Sequence, residues 1–125
     1  MKGPGNTPIG KIWEDSGLAY VECFPNTKVD REKAIIFFEE CKKLSGGVAK
    51  PVLIDAKDML VVDRKARQYF SSEAAVSITK AAAILIGSPI SQVIGSFFIG
   101  LNRPPFPIKL FSDRDEAIAW LKGFL

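Results

Sequence analysis

Any chemistry in this chain has to come from carboxylates, lysines, arginines and two thiols, because the sequence contains no histidine. Histidine is the commonest general base near neutral pH and the commonest side-chain metal ligand. A Ser-His-Asp or Cys-His mechanism built from this chain alone is therefore excluded. The two cysteines, Cys23 and Cys41, have neither C-x-x-C nor metal-ligand spacing. They read as reduced, partly buried thiols, and a disulfide between them is not forced.

The densest group of chemically capable side chains is Asp55, Lys57, Asp58, Asp63, Arg64, Lys65 and Arg67. Asp55 closes a strand-like run, and Asp63 stands where a helix would take its N-cap. In parallel α/β sheets, ligands favour the carboxyl ends of strands, and a helix N-terminus favours anions. The group is therefore the candidate for binding an anion or a partner peptide. The plainer reading is a solvated capping loop whose ion pairs each contribute less than about 1 kcal/mol. Asp55, Asp58 and Asp63 could also offer oxygens to Mg²⁺, but no spacing fixes the three at one point. No phosphate-cradling G-x-G-x-x-G or G-x-x-x-x-G-K pattern is present. The expectation is a chain without catalytic residues, metal or cofactor, and not an enzyme.

Composition narrows the partners. Net charge is +3, with basic and acidic residues interspersed, whereas nucleic-acid binding would want a basic stripe. The aromatics are dispersed at core spacing rather than arranged as a base-stacking platform. The opening residues lack the apolar core of a signal peptide, and no run reaches the ~18 apolar residues of a membrane span. A cytoplasmic location follows as an expectation. At 125 residues, one domain is the expectation, with residues 1–8 as a flexible lead-in and 9–125 as the domain.

Elements must position the charged group. Ile9 to Glu14 and Leu18 to Phe24 read as a hairpin around the turn Asp15-Ser16-Gly17. Asp30 caps a helix whose apolar stripe is Ala34, Phe37, Phe38, Cys41 and Leu44, stopped by Gly46-Gly47. Ile35 and Ile36 fall off that stripe. Pro51 to Ala56 is a third strand, Arg64 to Phe70 a helix, and Glu73 to Ser77 a further turn or two. The unbroken apolar run from Ala81 to Ile86 predicts an interior strand.

A helix over about 90–101 follows, with Phe97, Phe98 and Ile99 as a candidate interface. Core packing is the plainer reading of such a stripe; docking of a second subunit or an acyl chain is the sharper one. Phe106 to Phe111 is the last strand, and Ser112 or Asp113 caps the last helix. The order is β-β-α-β-α-β-α-β-α, with right-handed parallel crossovers after the hairpin.

That order, with Asp55 ending a strand and a helix capped at Asp63, resembles the STAS domain of bacterial anti-sigma-factor antagonists. The superfamily also includes the CRAL-TRIO lipid-binding domains. Val52-Leu53-Ile54-Asp55, Ala66-Arg67-Gln68-Tyr69-Phe70, Leu101-Asn102-Arg103-Pro104-Pro105-Phe106-Pro107 and Glu116-Ala117-Ile118-Ala119-Trp120-Leu121 are similar to phrases of small uncharacterised bacterial STAS-like proteins. The resemblance implies a five-stranded, mostly parallel sheet with helices mainly on one face; the structural rival is a flavodoxin-like sheet with helices on both faces, which would want a second fully apolar strand where Val52 to Ala56 is interrupted by Asp55. It also implies a regulatory protein-interaction module, with a homodimer as one form of partner.

In the antagonists a phosphorylatable serine follows the capping aspartate. Here Arg64 holds that place, and Ser71 and Ser72 lie a turn or more downstream. The usual switch is thus missing. The alternative that the resemblance implies is a small-ligand or lipid carrier of CRAL-TRIO type.

Overall fold

The computed structural model describes residues 2–58, 61–70, 72–87 and 106–125. The helix expected over 90–101, and with it Phe97, Phe98 and Ile99, lies outside the described residues.

The chain opens with β1 (Lys2–Asn6), β2 (Gly10–Asp15) and β3 (Leu18–Cys23). β2 and β3 pair antiparallel from Gly10↔Cys23 to Asp15↔Leu18. That register leaves a two-residue loop, Ser16 at φ 53° and Gly17 at φ 85°. Positive φ at both positions is the I′ turn that matches strand twist. Residues 1–8, expected as a loose lead-in, instead supply an edge strand: β1 pairs antiparallel with β2, with a register irregularity between Lys2 and Gly5. Pro4 falls inside that irregularity, where a missing N–H is tolerated.

Helix α1 (Arg31–Ser45) begins where Asp30 Oδ1 accepts from Lys33 N at 2.8 Å. It ends at Gly46, φ 67°, with Gly47 N donating to Lys42 O at 3.1 Å. A left-handed residue is needed there, and glycine supplies it without strain. Then come β5 (Lys50–Asp55), α2 (Arg64–Phe70), α3 (Glu73–Val76), β7 (Thr79–Leu85), β8 (Ile108–Phe111) and α4 (Arg114–Lys122). The short strands β4 (Lys28–Val29) and β6 (Val61–Val62) form a separate parallel ladder. Two residues each are too few to leave a periodic signal in sequence.

The main sheet has six strands in the order β1-β2-β3-β5-β7-β8 rather than the five expected. The extra strand is β1. Strands β3, β5, β7 and β8 run parallel. The run from Ala81 is interior, hydrogen-bonded between β5 and β8, and Ala81 to Leu85 are all buried.

Alternate residues of each strand face opposite sides. Ile12, Val21 and Ile84 join a core with Ala34 and Phe37 of α1 and Ala66 of α2. Leu18, Leu53, Ala81, Ala83, Leu85 and Phe111 join a second core with Ala117 and Leu121 of α4. Helices therefore cover both faces, not mainly one: α1 and α2 on one side, α4 on the other. Alanines at 81 and 83 leave α4 room to approach the strand closely, and Ala117 is fully buried there.

Candidate functional site

The parallel strands bring two regions of charge to opposite ends of the sheet. At the carboxyl ends lies the expected loop. Asp55 is the last residue of β5; its carboxylate accepts from Lys57 N at 3.3 Å and meets Lys57 Nζ at 3.8 Å. Asp58 O accepts from Asn26 N at 2.9 Å, which ties the loop to the end of the hairpin segment. Asp63 N donates to Val29 O at 3.0 Å, and Asp63 Oδ1 accepts from Ala66 N at 2.8 Å. Asp63 is thus the N-cap of α2, the role its type and position imply. Arg67 Nη1 donates to Val62 O at 2.6 Å.

The six candidates therefore divide. Asp63 and Arg67 hold backbone. Asp55 is half-buried and engaged with Lys57. Lys57, Asp58 and Arg64 are exposed, as is Lys65. Of these, Lys57 sits beside the Asp55 carboxylate, and among the described residues no three carboxylates meet. Among the described residues, no cluster of three or more His, Cys, Asp or Glu side chains could hold a metal ion. The stem of Lys57 lies against Gly87, where an added Cβ would come within 2.9 Å of Lys57 Cγ. The loop thereby reaches the end of β7.

The opposite end carries a pair that the sequence reading missed. Glu14 of β2 and Lys50 of β5 form an ion pair, Nζ to Oε2, at 3.0 Å. The Glu14 side chain is only 5% exposed and that of Lys50 22%. The signal was present: Glu14 follows Ile12 by two in a strand and must share its inward face. Both line a cavity of about 130 Å³ between the sheet and α1. Its described walls are apolar almost throughout, with Val52, Ile54, Ala82 and Ile84 as the floor and Phe37 and Leu44 above. Glu14, Ser45, Lys50 and Thr79 make its polar end.

Cys23 and Cys41 also line this cavity, and both are free thiols. Burial, and secondarily the Asp55 carboxylate, pushes the Cys23 thiol up to about 12. Burial, with smaller contributions from Glu40 and Glu14, pushes Cys41 up to about 12 as well. Thiols held protonated in this way are poor nucleophiles and poor metal ligands.

Among the described residues, no helix is long and apolar enough to cross a membrane. A search of curated proteins returns no match. The structure is similar to that of an uncharacterised protein from Shewanella loihica PV-4, of the DUF3478 family with a SpoIIAA-like fold. The TM-score is 0.64 at 16% identity, covering 97% of this chain and 95% of that one. Identity so low shows the fold alone: it supports the STAS-like architecture, not the particular group of small bacterial proteins. Residues 12–125 match the family described as "Domain of unknown function (DUF7793)", and the chain belongs to that family.

Proposed function

We propose that this chain is a non-catalytic regulatory module that docks a protein partner through the loop between β5 and α2. The observation that carries the reading is the contrast within that loop. Its backbone is pinned at Asp58 and Asp63, while Lys57, Asp58, Arg64 and Lys65 project to solvent. A loop tied at Asp58 and Asp63 with exposed charges beside it loses less freedom on binding than an untethered one. The SpoIIAA-like fold of the Shewanella protein supports a STAS-like frame for it. Arg64, exposed at the first position of α2, gives this surface a fixed positive charge where the resembling family places a switchable serine. Recognition through Arg64 then needs no phosphorylation and favours an acidic partner surface.

The test is site-specific photo-crosslinking in the native host, with the crosslinker at position 64 and, as control, at exposed position 116 of α4. The expected result is a discrete protein adduct at 64 that is absent at 116 and lost in Lys57→Glu. Equal yields at the two positions, or none at 64, would overturn the reading.

A further inference from the structure

We propose that the cavity bounded by Glu14 and Lys50 is a binding site for a small neutral amphiphile, with an apolar body of about six non-hydrogen atoms and one hydroxyl head. The proposal goes beyond the docking role of the loop and stands without it: the apolar length of the cavity reaches Ala56 and Val62 beside the loop, but its polar end at Glu14 and Lys50 lies at the other end of the sheet. Size sets the body. A dry apolar cavity of about 150 Å³ accepts benzene, and this one, at about 130 Å³, is of the same order. The walls at Val52, Ile54, Ala82 and Ile84 offer an occupant no hydrogen bond.

Chemistry sets the head. The only charged side chains lining the cavity among the described residues are Glu14 and Lys50, and they compensate one another at 3.0 Å. A carboxylate has about four acceptor sites and an ammonium three donors, so each can take a hydroxyl alongside the bonds it already makes. A hydroxyl can donate to Glu14 and accept from Lys50 at once. An anionic head would meet the Glu14 charge, and a cationic head that of Lys50, each at a desolvation cost. Hydroxyls at Ser45 and Thr79 extend the polar end. Thr79 Oγ1 already donates to Ala75 O at 2.8 Å and is left to accept, whereas Ser45 Oγ donates to Lys42 O at 3.3 Å and already accepts from Gly47 N at 3.2 Å.

Phenol and toluene test this directly, because they share a shape and differ only by the hydroxyl. In ¹H–¹³C methyl NMR of the full chain, both should give saturable shifts at the methyls of Val52, Ala82 and Ile84. Phenol should bind about fivefold to tenfold more tightly, the margin of one net hydrogen bond. Benzoate should bind more weakly than phenol. In the double variant Glu14→Met, Lys50→Met, which removes both hydrogen-bonding heads of the pair, the phenol margin should vanish while toluene binding persists. Ala82→Leu, which fills the floor, should abolish both; Val52→Phe serves the same end where the first variant does not fold. Absence of saturable shifts would overturn the site. A phenol margin surviving in the double variant, or benzoate binding tighter than phenol, would overturn the head-group assignment. Unchanged binding in a folded cavity-filling variant would overturn the location.

Discussion

The thiols and the cap at Asp63 are where single residues speak most clearly. Cys23 and Cys41 have their pKa values raised from 9.0 to about 12, chiefly by burial. Near pH 8 the native thiolate is therefore far scarcer than in the unfolded chain. Iodoacetamide should therefore label both cysteines far more slowly in the native protein than in urea. The same shift fixes a pH dependence. Above pH 9 the unfolded thiols lose protons that the native ones keep, so the native state binds more protons and stability falls as pH rises. The contribution is fully present below pH 9 and is lost progressively towards pH 12. Urea midpoints measured across pH 8 to 11 should decline, and Cys23→Ala with Cys41→Ala should flatten that decline.

Asp63 is a second such residue: its Oδ1 satisfies the Ala66 N–H at the start of α2. Asp63→Ala should cost about 0.5–2 kcal/mol, and Asp63→Asn markedly less, in denaturant unfolding. This cap was legible in the sequence, because an aspartate before a helical period has one obvious role. The pairing of Arg67 with the Val62 carbonyl was not, since it depends on where β6 lies.

At the scale of elements, the hairpin and the β7–α4 contact explain why most of the fold could be read and where reading stopped. An added Cβ at Gly10 would lie 2.2 Å from Glu22 O and 2.8 Å from Cys23 Cα. These are backbone atoms of the paired strand and cannot step aside. Gly10→Ala should cost more than about 2 kcal/mol, seen as a lowered Tm, whereas Gly47→Ala meets no neighbour and is opposed only by its φ of 80°. The alternation of β2, the capped period of α1 and the unbroken run of β7 are local patterns, and local patterns survive in a bare sequence. Strand β1 is different. Lys-Gly-Pro-Gly-Asn has no strand propensity, and it becomes a strand because β2 offers an unpaired edge. Placing helices on both faces was likewise hidden. It follows from small alanines at 81 and 83 opposite α4, which a periodicity argument records only as apolar.

Across the whole molecule, the Glu14–Lys50 pair is the feature with the widest reach, because it joins β2 to β5 across β3 and closes one end of the cavity. A buried pair is a poor source of net stability, since desolvation offsets most of the attraction. Its asymmetry is the useful property. Lys50→Met leaves the Glu14 carboxylate buried without its ammonium partner and should cost about 3–5 kcal/mol. Replacing both at once, Glu14→Gln with Lys50→Met, removes both charges and should restore most of that loss. Urea unfolding of the two single variants and the double forms a cycle in which the double is more stable than either single. A strictly additive cycle would mean that the two charges act independently, and the pair would then have no claim to shape the polar end of the cavity. A strong coupling, together with near-native stability of the double variant, would show that the fold does not require the pair. That outcome would leave recognition at the cavity, rather than folding, as the property the pair serves.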